Sequence, residues 1–142
     1  MTTNVFSDKT FQIKLQWSLL FLRLGVFIVM FVWNLDKFIN PAHTGKVFEI
    51  FYGINMTNHS FTYVLASLQL LLIVLFVTGI KKPITYGLIL LMHAGSTFSA
   101  YAIYMSPFNN NNLLFFAAWP MLAACIALYL LRDADTKFTL GK

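Results

Sequence analysis

Phe61–Pro83 reads FTYVLASLQLLLIVLFVTGIKKP, a long run without any charge followed by two lysines and a proline. A membrane-spanning helix needs about 20 mostly apolar residues, because the hydrocarbon core is about 30 Å thick and the helix rises about 1.5 Å per residue. Residues 61–80 therefore predict one span. Lys81-Lys82-Pro83 predicts a turn so short that the next helix must return beside it, with Pro83 suited to a first helical turn. From Pro83 to Leu131 there is no Asp, Glu, Lys or Arg. Pro107 and the asparagines 109–112 interrupt that stretch and divide it into spans over about 83–105 and 113–131. Upstream, residues 15–35 (LQWSLLFLRLGVFIVMFVWNL) form a further span broken only by Arg23. The expected fold is all-α, a four-helix transmembrane bundle occupying 1–142 as one domain.

Composition agrees. Of 142 residues, 58% are hydrophobic and 11% charged, whereas a water-soluble domain carries about a quarter charged residues to solvate its exterior. A soluble globule is excluded on that ground. The net charge of +5 could suggest nucleic acid, but the basic residues flank the apolar runs, which reads as control of membrane orientation. Cys125 is the one cysteine and stands in an apolar run, so it is expected to be a buried thiol. The first ten residues are polar and include Asp8, so the first span is expected to be a retained helix and not a cleaved signal.

Lysines and arginines set the orientation. Lys9, Lys14, Lys81, Lys82, Arg132, Lys137 and Lys142 fall on one side, and only Lys37 and Lys46 on the other. Both termini are expected in the cytoplasm of a multi-pass inner-membrane protein. The loop from Asp36 to Ser60 then faces outward. Within it, PAHTGKVFEIFYGI from Pro41 places Val47, Phe48, Ile50, Phe51 and Ile54 where they can share one helical face, predicting a short interfacial amphipathic helix.

Ionisable and polar groups inside the bilayer are costly and mark candidate sites. Arg23 can snorkel to the headgroups or face the helices. Gln69 on the second span and His93 on the third reach compatible depth near the midplane, so the three can form one polar layer. Near the outer surface, Trp33, Asp36, Lys37 and His43 stand at one level with Tyr101, and Trp119 lies slightly deeper. Aromatics with a few polar groups are how small-molecule pockets are usually lined. A two-histidine haem site is excluded because only His93 is intramembrane. No metal-ligand spacing is present.

LRLGVFIVMFVWNLDKFINP (Leu22–Pro41) resembles the opening of the DoxX/DoxD-like membrane proteins. Arg23, Gly25, Phe27, Lys37, Phe38 and Pro41 follow that family's order, and Thr78-Gly79-Ile80-Lys81-Lys82 resembles its second-helix ending and basic turn. Asn34 replaces a common glycine, and Gln69 replaces a common acidic residue, which removes the obvious counter-ion for Arg23. The family includes the small subunit of thiosulfate:quinone oxidoreductase. The resemblance thus implies a quinone-binding or accessory partner of a membrane redox or respiratory system, with quinone as the one cofactor suggested and none tightly bound.

In that reading His93 and Gln69 would bond the carbonyls of a quinone and Arg23 would bias charge beside it. Two other classes stay open. One is a structural or assembly subunit that binds another membrane protein through its helix faces. The other is an oligomeric small transporter or channel. An enzyme acting alone has the least support, since no nucleophile–base pair or metal triad is visible.

Overall fold

The computed structural model describes residues 8–55 and 59–141, and these are helical with no strand among them. Helix α1 (Lys9–Ile39) is followed by α2 (Pro41–Tyr52), α3 (His59–Val77), α4 (Lys82–Ser99) and the single turn α5 (Tyr101–Tyr104). A 3-10 segment, Asn112–Ala117, then leads into α6 (Ala118–Leu130). Among the described residues, three stretches are long and apolar enough to cross a membrane: Lys9–Ile39, His59–Val77 and Asn112–Leu130. Helix α4 is not among them; its sequence intersperses Thr85, His93, Ser96 and Thr97 with the apolar residues.

Helix ends follow local chemistry. The Asp8 carboxylate accepts from the Thr10 amide and caps α1. Asn40 does the same for α2 by accepting from the His43 amide, with Pro41 in the first turn and Gly53 closing the helix at φ 66°. The expected third run ends early, at Ser99. There the Thr97 hydroxyl donates to the His93 carbonyl and the Ser99 hydroxyl to that of Ser96, and such back-bonding bends helices. The fourth run starts as a 3-10 segment because Pro120 has no N–H for the Phe116 carbonyl, so regular α-helix begins only at Ala118.

Each long helix buries one stripe. Leu19, Arg23, Val26 and Asn34 on α1 recur at helical spacing, as do Thr62, Ala66, Ile73 and Phe76 on α3. Tyr86, Ile89 and Thr97 face inward from α4, and Leu122, Cys125 and Leu128 from α6. Helix α1 packs against α3 and α6, and α4 also packs against α3 and α6, so the four stripes share one core. The remaining faces carry large exposed apolar side chains, among them Phe21, Ile28, Leu68, Leu91 and Leu114. The short amphipathic helix is present as α2, which touches α1, α3 and α4. Its inward side is Thr44, Val47, Phe48 and Phe51, whereas Ile50 and Ile54 are exposed.

Candidate functional site

The most enclosed polar cluster lies beside the α3–α4 turn. Arg23 and Asp135 are 1% and 0% exposed, with Nη1 3.3 Å from Oδ2. The Tyr86 hydroxyl donates to the same carboxylate oxygen at 2.8 Å and accepts from Arg23 Nη1 at 3.3 Å. Arg23 Nη2 donates to the Lys137 carbonyl at 2.5 Å, and Lys82 Nζ to the Asp135 carbonyl at 2.6 Å. Arg23 Nε and Asp135 Oδ1 are buried with no hydrogen-bond partner among the described residues. The pair is thus joined through one oxygen, although a guanidinium and a carboxylate can make two parallel bonds.

Asp135 reaches this place because the chain after α6 turns back across the helix ends. Ala134 packs against the core, and the Leu140 amide donates to the Thr78 carbonyl at 2.8 Å. The Lys137 ammonium lies 4.2 Å from the centre of the Trp17 ring, a cation–π contact. Gly79 permits the crossing. Its φ is +69°, and a Cβ there would sit 2.7 Å from Thr139 Cγ2 and 3.2 Å from Arg23 Nη1.

The other sequence-predicted residues fall into separate groups. His93 Nε2 lies 3.0 Å from the Ala118 carbonyl and 3.4 Å from the Thr97 hydroxyl, tying α4 to the start of α6. His93 stands seven residues beyond Tyr86, about 10 Å along the helix, and the apolar Val26, Ile73, Ile89 and Cys125 belong to the core between. Gln69 is half-buried on the inward stripe of α3 and makes no hydrogen bond to Arg23 or His93. The structure therefore does not join Arg23, Gln69 and His93 into one layer.

At the opposite end, His43 Nδ1 and Asp36 Oδ2 are 2.5 Å apart, linking α1 to α2 across the Asn40 turn. Lys37 Nζ donates to the Trp33 carbonyl. Trp33 and Tyr101 are 55% and 68% exposed, so neither walls an enclosed pocket. Trp119 instead packs its ring on Phe98 and Tyr104, and Tyr104 also meets Phe116. Asn34, expected only as a departure from a family pattern, is 1% exposed and donates from Nδ2 to the Ala66 carbonyl.

Tyr86 and Asp135 were not apparent from the sequence. One signal could have narrowed the search for Asp135, though not for Tyr86: the chain has five acidic residues, and of these only Asp8, Asp133 and Asp135 fall on the side toward which Arg23 reaches. Comparison with protein-family models, curated proteins and solved structures finds no match for the chain.

Proposed function

We propose that the chain is a four-span protein of a bacterial-type inner membrane, with both termini in the cytoplasm, acting as a DoxX-like accessory partner of a membrane redox system. Three stretches of spanning length and apolarity support the membrane reading. The fourth crossing is α4: its turn from α3 is short, Tyr86 and Ile89 are buried against its neighbours, and no charge follows Lys82 until Arg132. With seven cationic residues on one side against two on the other, the turn carrying Lys81 and Lys82 and the tail beyond α6 belong in the cytoplasm.

The observation that carries the accessory role is where the buried polar groups spend their hydrogen bonds. Arg23, Asn34 and His93 bond within the chain, while the outer helix faces offer apolar side chains to lipid or to another protein's helices. That arrangement suits a partner subunit better than a self-sufficient catalyst. One observation favours the quinone-binding form of the role. Gln69 lies on the inward stripe with its amide unengaged among the described residues, and so could offer a donor to a ring carbonyl.

Photo-crosslinking from the outer faces of α3 and α4 in native membranes tests the proposal. The expected adduct is a membrane redox subunit, identified by mass spectrometry. Adducts only with a second copy would favour the oligomeric transporter, and adducts only with a partner lacking redox function would favour an assembly subunit; either overturns the redox reading. A quinone-dependent thermal shift that is lost in Gln69→Leu would place quinone at Gln69.

A further inference from the structure

The Arg23 cluster and its present occupant are poorly matched in geometry: Arg23 Nε and Asp135 Oδ1 are each buried without a hydrogen-bond partner among the described residues. A guanidinium offers five N–H donors in a fixed fork, yet Asp135 engages Arg23 through one oxygen at 3.3 Å and leaves Nε unpartnered in a residue 1% exposed. Lys82 Nζ beside it donates to the Asp135 backbone and not to the carboxylate. The Tyr86 hydroxyl supplies a further donor, pointed at the same oxygen. Without Asp135 the place would hold two cations and a phenol, with the Lys81 charge on the adjoining turn. A tetrahedral oxyanion presents more oxygens than a carboxylate and fits Arg–Lys recognition.

Apart from Ala134, which packs against the core, the segment that brings Asp135 in is held by single polar contacts. These are Arg23 to the Lys137 carbonyl, Lys82 to the Asp135 carbonyl, Leu140 to the Thr78 carbonyl, and the Lys137 ammonium over Trp17. Phe138 and Leu140 are 75% and 77% exposed, so they add little apolar burial to the docking. Phe138 also holds φ at 51°, a left-handed conformation that a residue with a Cβ adopts at a cost. A segment with few buried apolar contacts and a strained residue is one that opens locally.

We propose that Arg23, Tyr86 and Lys82 form a phosphate-binding site, and that Asp135 is its tethered internal occupant, displaced when a phosphate group binds and the tail lifts. The phosphate belongs either to an anionic lipid headgroup or to a free anion. Basic pockets between spanning helices on the cytoplasmic side take lipid phosphates. That leaflet rests on the topology proposed above, whereas the site itself does not.

The test uses the full chain with Cys125→Ala and Thr139→Cys, which puts a thiol where the tail crosses Gly79. Its maleimide alkylation rate is measured in phosphatidylcholine nanodiscs, alone, with inorganic phosphate, and with phosphatidylglycerol in the bilayer. A severalfold faster rate with phosphatidylglycerol only identifies a lipid headgroup, and one with inorganic phosphate identifies a free anion. In either case Arg23→Lys and Tyr86→Phe must blunt the response without raising the rate of Cys125 alkylation in the otherwise native chain, which reports general unfolding. An alkylation rate unmoved by both anions, or moved equally in Arg23→Lys, overturns the proposal.

Discussion

Arg23 in the first helix and Asp135 in the segment after the last helix form an ion pair from which water is almost entirely excluded, Nη1 to Oδ2 at 3.3 Å. The counter-ion for Arg23 is supplied from the other end of the chain. A buried pair seldom adds much net stability, because desolvation offsets the Coulombic gain, but removing one partner leaves an unpaired charge and costs about 3–5 kcal/mol. Asp135→Asn and Arg23→Gln should each lower folding stability by about that amount. The double variant should cost clearly less than the sum. Denaturation in mild detergent, run as a double-mutant cycle, measures the coupling; additive effects would show that the pair does not interact.

Tyr86→Phe isolates the hydroxyl from the ring. The ring packs edge-on against Phe76 at 4.9 Å and should stay, while Asp135 Oδ2 loses its donor and Arg23 Nη1 loses an acceptor. A cost of about 1–3 kcal/mol is expected, the range for stranding buried polar groups. The same substitution at Tyr101, 68% exposed, should be close to neutral in the same assay.

What was legible in the sequence is what depends on short range. Apolar length gave α1 and α3, the lysines with Pro83 gave the return into α4, and the aromatic spacing after Pro41 gave α2. Arg23 was legible as costly but not as paired. Its partner lies in a charged tail whose composition reads as solvated, and only the fold-back past Gly79 brings the two together. The predicted outer pocket failed to assemble for a related reason. Depth along a helix follows from counting residues, but facing does not: Trp33 and Tyr101, expected at one level, are both exposed.

Gly79→Ala should weaken the tail's docking twice over. Glycine adopts its φ of +69° without the steric cost of about 1–2 kcal/mol that a Cβ brings, and that Cβ would approach Thr139 Cγ2 to 2.7 Å. Proteolysis at the tail should become faster with the helices otherwise protected. Adding Thr139→Ala should recover the contact part of the loss but not the backbone part.

Orientation is checked by labelling single cysteines in a Cys125→Ala background with an impermeant maleimide. Lys46→Cys on α2 should react in intact cells, and Lys81→Cys on the α3–α4 turn only after the membrane is opened. The lysine and arginine asymmetry demands this order, since the loop holding Lys46 is the poorer in positive charge. The reverse order would invert the whole assignment, including the leaflet that faces Arg23.

Asn34 offers a substitution expected to do no harm. Its Nδ2 donates to the Ala66 carbonyl at 3.1 Å, while its Oδ1 is buried without a partner. The Ala66 carbonyl lies within α3, where the helix's own i→i−4 bond to the Leu70 amide can satisfy it when the side chain is gone. Asn34→Leu keeps the branching and heavy-atom count but is bulkier. The gain from removing a stranded acceptor, about 1–3 kcal/mol, is therefore offset by overpacking of similar size, and the variant should be close to neutral. Asn34→Asp places a charge in the same position, 1% exposed, and should destabilise strongly. Thermal unfolding of the two variants side by side decides it. A loss in Asn34→Leu comparable to that in Asn34→Asp would mean the Asn34 amide holds α1 to α3 and that its bond to Ala66 outweighs the stranded oxygen.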